Sequence, residues 1–397
     1  MTNSIPQGWN RSNVNNTCDV LDSKRIPVNS EERANRKGPY PYYGANGIQG
    51  FIDEFIFEGE HILLAEDGGN FDLWESRPIS YLVSGKFWVN NHAHILKAKS
   101  GHSTRFIHYS LVHKNITKHI NGGTRAKLNQ SDMRDIELAL PPLPEQQKID
   151  AILTSVDKGI EFTQAQINKL KDLKTGMMHE LLTNGIEHSE FRDSPVGRIP
   201  KAWDCELLDK VAKRGSGHTP DKQKKEYWNG GIKWISLADS SKLDKLHIGE
   251  TEHEISIEGI KNSSAVLHPK GTVVLSRDAG IGKSAVTTDA MAVSQHFMAW
   301  TCGEKLDKYF LYYLLQMWKP RFENIAIGST IKTIGLAYFK TLEIPLPKIG
   351  EQIKIAEILL GLDDSIFKSE RKRNQLTNIK KALMQDLLTG KVRVKVS

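Results

Sequence analysis

The feature that most constrains this chain is an internal repeat. Residues 122–184, moved 206 positions along, fall on residues 328–390 without a gap, and 20 of the 63 positions are identical. Gly122-Gly123-Thr124 meets Gly328-Ser329-Thr330, Glu145-Gln146-Gln147-Lys148-Ile149 meets Glu351-Gln352-Ile353-Lys354-Ile355, and Leu181-Leu182-Thr183 meets Leu387-Leu388-Thr389. Upstream the offset changes. Ile5-Pro6-Gln7-Gly8-Trp9 answers Ile199-Pro200-Lys201-Ala202-Trp203 at 194, and residues 59–64 answer 271–276 at 212. Each copy thus has matched ends and a divergent middle, which is one scaffold built twice with two different surfaces. That pattern suits two reading heads better than one active site.

The matched ends read as helices. Apolar residues recur in steps of three and four at Ile149, Leu153, Val156, Ile160, Ile167, Leu170, Met177 and Leu181, with Thr163 and Lys174 as polar interruptions. The second copy shows Ile355, Leu359, Leu362, Ile366, Leu376, Leu383 and Leu387, interrupted by Ser369, Arg373 and Lys380. Prolines mark both entrances and Gly185 and Gly390 both exits. Each run is about 40 residues, roughly 60 Å of helix at 1.5 Å per residue. A seam of that length cannot stay in water, so the two are expected to pair as an antiparallel coiled coil.

The middles read as mixed α/β, giving an α+β fold class. Strand-like runs include residues 62–65, 87–89, 232–235 and 271–275, and residues 309–318 read as a buried helix. Residues 188–198, polar and bearing Pro and Gly, read as a linker. The expected divisions are a first domain at 1–143, a first helix at 144–185, linker plus second domain at 186–347, and a second helix with its tail at 348–397.

Composition excludes several classes. No stretch approaches the ~20 apolar residues of a membrane span. The start lacks the basic and apolar regions of a signal peptide, and Cys18, Cys205 and Cys302 lack metal or disulfide spacing, so a reducing cytoplasm is expected. The net charge of +7 is compatible with nucleic acid but does not require it.

Catalytic signatures are missing too. Gly280-Ile281-Gly282-Lys283-Ser284 resembles the end of a phosphate loop, but Arg277 stands where the first glycine is required. A tight turn bringing N–H groups and Lys283 toward a phosphate stays open. There is no Asn/Asp-Pro-Pro-aromatic run of an adenine methyltransferase, and the one Glu-x-Lys, Glu370-Arg371-Lys372, lies in the second helix. His92-Ala93-His94 suggests no third metal ligand, so no metal and no resident cofactor are expected. The chain is not expected to be an enzyme on its own.

What remains is polar, basic and aromatic material in the middles. In the first copy the candidates for nucleic-acid contact are Tyr43, Asn46, Lys86, Asn90, Asn91 and His92, then Arg125 and Lys127. In the second they are Lys225, Trp228, Lys233, Trp234, Arg277, Lys283, Gln295, His296 and Lys332. Asn and Gln pair bidentately with adenine and Arg and Lys with guanine, while other cations hold phosphate.

These features together resemble the specificity (S) subunit of type I restriction–modification systems over essentially the whole length. The resemblance rests on Ile-Pro-x-x-Trp at each start, Tyr43-Gly44-Ala45-Asn46-Gly47-Ile48, Val89-Asn90-Asn91-His92-Ala93 and Arg277-Asp278-Ala279-Gly280-Ile281-Gly282. It rests also on Pro142-Leu143-Pro144-Glu145-Gln146, its partner run from Pro345 to Gln352, and residues 174–183 with their repeat. It implies two target-recognition domains related by a pseudo-twofold, each reading half of a bipartite, asymmetric site in double-stranded DNA. The paired helices would set the spacer and dock two methyltransferase subunits carrying S-adenosylmethionine. Restriction subunits with ATP and Mg²⁺ would join for cleavage. One departure is Glu66-Asp67 where the second copy has Arg277-Asp278. The other readings are a coiled-coil scaffold for proteins and a DNA reader serving a solitary methyltransferase.

Overall fold

The computed structural model describes residues 5–122, 126–328 and 332–396. Two units divide the chain: unit 1 is Met1–Gln164 with Glu370–Ser397, and unit 2 is Ala165–Ser369. Among the described residues no helix is long and apolar enough to cross a membrane.

Unit 1 opens with β1 (Asn10–Asn13), β2 (Cys18–Val20), β3 (Tyr40–Gly44), β4 (Gly47–Ile52) and β5 (Phe57–Glu58), followed by β6 (His61–Ala65), β7 (Ser80–Val83), β8 (Lys86–Val89) and β9 (Ala93–Ala98). They form two four-stranded sheets, β2-β9-β6-β7 and β4-β3-β8-β5. Every residue of β6 is buried, which is why an unbroken apolar run stands there rather than an alternation. Helix α1 (Thr104–Val112) begins where the Ser103 hydroxyl accepts the Phe106 N–H, and packs on the first sheet through Phe106, Ile107 and Leu111. Strand β10 (Glu137–Leu140) returns antiparallel to β1 and leads into α2 (Leu143–Thr183).

Unit 2 repeats the plan with β11 (Asp204–Leu207), β12 (Ala212–Ser216), β13 (Trp228–Ile235), β14 (His247–Ile248) and β15 (His253–Ile255), then β16 (Val273–Ser276), β17 (Ser284–Thr287), β18 (Ala292–Val293), β19 (Phe297–Cys302), α3 (Lys308–Met317), β20 (Glu343–Leu346) and α4 (Ile349–Leu387). Its sheets run β12-β19-β16-β17-β14 and β15-β13-β18, with β11 against β20. The order β12-β19-β16-β17 reproduces β2-β9-β6-β7, and β14 is an added edge strand. The segment read as a linker is ordered differently from that expectation. Phe191–Ser194 and Gly197–Pro200 pair as a hairpin, its turn closed by the Ser194 hydroxyl on the Gly197 carbonyl.

The seam residues named above are all buried or half-buried, and their pairing is antiparallel within each unit. In unit 1 the Lys380 ammonium, from α4, lies 2.6 Å from Asp157 of α2, and Arg373 donates to Gln164. In unit 2 Lys174 of α2 lies 2.6 Å from Asp363 of α4. Both aspartates also take a tyrosine hydroxyl from their own domain at 2.7 Å, Tyr109 of α1 and Tyr313 of α3. Each lysine sits over the same tyrosine's ring, at 5.5 Å and 5.3 Å. Burial, reinforced by the facing aspartate, pushes both tyrosine pKa values up, so these hydroxyls stay protonated donors. The polar interruptions of the seam therefore bind helix to helix and helix to domain. Thr163 and Ser369 instead return their hydroxyls to the carbonyls of Gly159 and Ser365.

The Ile-Pro-x-x-Trp starts close each unit against a helix end. Gly390 has φ +69°, and a Cβ there would lie 2.4 Å from Pro6 and 3.2 Å from Trp9; Gly185, also at φ +69°, would meet Trp203 at 2.7 Å. Glycine is needed both for the left-handed turn and for the close approach. Below the Trp9 ring, Arg393 pairs with both oxygens of Glu145 at 2.7 Å. In unit 2 the matching Glu351 accepts from Trp203 Nε1, His188 and the Ile186 N–H.

Candidate nucleic-acid interface

In each unit, two parallel strands end side by side and release a short polar loop. In unit 1 these are β3 and β8, paired at Tyr42–Trp88 and Tyr43–Val89, and in unit 2 they are β13 and β18, paired at Trp234–Ala292 and Ile235–Val293. The next residue closes the pairing the same way: Asn90 N donates to the Tyr43 carbonyl and Ser294 N to that of Ile235. Two residues on, a histidine carbonyl receives the N–H of the strand opposite, Glu66 N to His92 O and Arg277 N to His296 O. The histidine ring is then held by a carboxylate. His92 Nδ1 lies 2.5 Å from Asp67, and His296 Nδ1 lies 2.6 Å from Asp278. Two otherwise divergent loops share one frame, with Asn91 exposed on one and Gln295 on the other.

Several candidates have partners within their own domain, although Asn46 and Lys86 remain exposed. Asn90 is buried, donates to Gln49 Oε1 and accepts the His92 N–H, so its amide has no face left for a base. The Arg277 guanidinium donates to the Ile334 and Gln295 carbonyls. Trp234 is buried with its indole N–H on the His218 carbonyl. Lys233 donates to Asp289 and Glu250, and these hydrogen bonds raise its pKa. Tyr43 packs edge-on against Phe87, Asn46 donates to the Gly68 carbonyl, and Lys86 lies over Phe55. Sequence composition counts such donors, but their partners decide whether they are available.

The glycine turn of unit 2 is a hairpin connection between β16 and β17. Gly280 and Gly282 take φ +87° and +79°, and the N–H groups of Gly282 and Lys283 go to the Ser276 and Gly280 carbonyls. With Lys283 reaching the Ser240 carbonyl, these groups do not form the phosphate cradle that the turn left open. Lys225 and Lys332 are exposed, Lys127 pairs with Glu66, and Arg125 lies outside the described residues.

The histidine pair 92/94 splits between two partners. His94 is buried, with Nδ1 2.6 Å from Asp22 and Nε2 2.9 Å from the Leu128 carbonyl. Asp22, Glu66 and His94 bring ligand-type atoms together, but Arg25 and Lys127 pair with Glu66, and Gln130 and the Ile95 N–H donate to Asp22. Burial opposes the Asp22 charge, yet these hydrogen bonds, His94 foremost, hold its pKa below the usual carboxylate value. Protein groups already compensate the charges of this network.

Beside His296 a cleft of about 590 Å³ opens, walled by Trp228, Trp234, His253, Ser294 and Gln295. The two tryptophans meet at 5.2 Å and 87°. The carboxylates of the shared frame, Asp67 and Asp278, stand in the sequence reading as motif residues and not as site candidates, and Thr219, which donates to Gln295, is not named there. One signal was present: Glu66-Asp67 and Arg277-Asp278 differ in the first residue and agree in the second.

Comparison with known proteins places this architecture. Residues 6–172 and 200–378 both match the type I restriction modification DNA specificity domain. The MjaVIII type I restriction enzyme specificity subunit of Methanocaldococcus jannaschii is 26% identical over 98% of this chain and 94% of its own length. The MjaIX specificity subunit of the same organism is 32% identical over 47% of this chain and 44% of its own. In fold, the chain is similar to the S subunit of a type I restriction–modification system from M. genitalium, with a TM-score of 0.63 at 15% identity, covering 98% of this chain and 97% of that one. With two matched copies spanning most of its length, the chain belongs to the type I restriction modification DNA specificity domain family.

Proposed function

We propose that this chain is the DNA specificity subunit of a type I restriction–modification complex, with each unit reading one half of a bipartite site. The observation that carries this reading is the repeated loop frame bearing different outward side chains, Asn91 in one copy and Gln295 in the other. A shared frame sets how a loop meets the groove, and the side chain on it sets which base is accepted. The paired helices act as the ruler between the halves. Their exposed apolar residues, Phe162 and Leu173 on α2 and Phe367 and Ile379 on α4, offer surface to two methyltransferase subunits. Those partners supply S-adenosylmethionine and the methyl transfer, and restriction subunits supply ATP- and Mg²⁺-dependent cleavage, on DNA in the cytoplasm. This chain supplies the address and no reacting group.

Modification-sensitive sequencing of DNA from cells with and without the chain, the partner subunits intact, tests the reading. Loss of adenine methylation at one bipartite, asymmetric motif is the expected result. Unchanged methylation with an active methyltransferase present would refute it.

A further inference from the structure

Just inside the shared loop frame the two units differ. By the strand registers, Ser294 of unit 2 stands where unit 1 has Asn90, and Ser236 where unit 1 has Gly44. In unit 1 a pair of amides fills the place. Asn90 donates to Gln49 Oε1, and Gln49 can lie against β3 because Gly44 is there: a Cβ at that glycine would fall 2.2 Å from the Gln49 amide nitrogen. Unit 2 has neither amide. Its Ser236 turns its hydroxyl to Asp239, and the run 236–252 replaces the two-residue turn Ala45–Asn46.

Unit 2 has the cleft of about 590 Å³ there instead. The Trp228 and Trp234 indole N–H groups are taken by the Asp221 and His218 carbonyls, so both rings line the cleft with π surface and no donor, and Leu237 adds an exposed aliphatic wall. Ser294 lines it too. That residue is 1% exposed, and its hydroxyl has no partner among the described residues. A buried hydroxyl without a partner, beside aromatic walls, fits a flat heteroaromatic ring with a polar edge. Lys222, exposed at the rim, suits a phosphate attached to such a ring.

We propose that this cleft takes up one nucleobase of the DNA bound at unit 2, rotated out of the duplex, with its ring on Trp228 and its polar edge on the Ser294 hydroxyl. A base that is still paired and stacked shows only an edge in the groove, whereas a cleft of this size encloses a whole ring. The cleft is continuous with the loop that bears Gln295, so the DNA meeting that loop is the source of the base. Stacking on the indole offsets the stacking lost in the duplex and tolerates any base. Selectivity then comes from the polar edge and from how readily the base unpairs. In unit 1 the Asn90–Gln49 pair occupies the equivalent place, and unit 1 takes up no base. This inference rests on the DNA-specificity reading above.

The test is binding of the motif duplex by the intact complex with its methyltransferase subunits, without methyl donor, as the opposite base is removed or mismatched at each position in turn. A base that must leave the stack leaves it more readily once unpaired, so binding should tighten about tenfold at one position of one half-site. Trp228→Ala, which removes the stacking ring, and Ser294→Asn, which puts the amide of unit 1 into the cleft, should each abolish that gain. Trp228→Phe keeps a ring and should keep the gain. Binding by the variants should still depend on the sequence of the other half-site, which shows that the chain is folded and assembled. A gain that persists in both Trp228→Ala and Ser294→Asn arises outside the cleft, and if every gain does so, or none is seen, the inference is overturned. Should Trp228→Ala fail to bind, Ser294→Asn decides: a lost gain supports the inference and a retained one overturns it. Absence of sequence-dependent binding by the wild-type complex would overturn the underlying reading instead.

Discussion

The two units agree where they grip the helices and differ where they face outward. Tyr109–Asp157–Lys380 and Tyr313–Asp363–Lys174 are the same three residue types in the same geometry, down to the lysine over the ring. In the loops, Glu66 faces Arg25 in one unit while Arg277 reaches backbone carbonyls in the other, so opposite charges occupy one place and each has its own local hydrogen-bond partners. The lesson is that the frame tolerates changed chemistry wherever a change of partner can come with it. The grip lacks that latitude, since each of its three groups already serves two others.

The strongest way to break the equivalence is at the tryptophans that close each unit. Trp9→Ala and Trp203→Ala each remove a buried indole and should cost about 3–5 kcal/mol. They should differ in a telling way as Phe variants. Trp203 Nε1 donates to Glu351, whereas Trp9 Nε1 has no partner among the described residues, so Trp203→Phe should be the costlier change. Segment-resolved hydrogen exchange would report each unit separately, and equal losses would deny the Glu351 bond any weight.

Next in size are the grips. Asp157→Ala and Asp363→Ala each strand a part-buried lysine and a tyrosine hydroxyl, an expected loss of about 1–3 kcal/mol. Because the geometry is duplicated, the two losses should match to within about 0.5 kcal/mol. Denaturant titration of the two variants checks this, and a twofold disparity would mean that the duplication is one of sequence and not of energetics.

The units should also differ in acid sensitivity. His108 is buried in unit 1, and burial, with Lys380, His113 and Arg105 adding to it, pulls its pKa down to about 3. The unfolded chain takes up that proton below about 6.5, but the folded one does not until about 3. Unit 1 therefore loses stability as pH falls through that window. Asp22 acts in the same direction lower down, where its depressed pKa makes protonation unfavourable to the fold. Unit 2 carries Tyr312 at the matching place. Exchange rates at pH 7 and pH 4.5 should diverge more for unit 1, and His108→Gln should narrow the gap.

Much of the fold was legible in advance because helix pairing writes itself in a local period. Ile149 to Leu387 could be read from steps of three and four, and the polar residues in the seam fell at matching places in both copies. Their purpose was not legible, since Asp157 and Lys380 stand 223 positions apart and nothing in either run names the other. The outward residues were harder for the same reason. Asn90 and Gln295 are both side-chain amides, yet one is buried between Gln49 and the His92 N–H and the other is exposed. The hairpin at 191–200 was missed because Pro and Gly mark a turn equally well inside a linker and between two strands.

The division of the chain also dictates an order of events on the ribosome. Unit 2 is one uninterrupted stretch, Ala165–Ser369, whereas unit 1 needs Met1–Gln164 and then Glu370–Ser397. Synthesis from the N-terminus supplies everything for the second unit before the first has its missing helix. During that interval the Glu145 carboxylate lacks Arg393, Asp157 lacks Lys380, and the Trp9 ring has no Gly390 turn to rest on. The first-made domain is therefore the last to be finished.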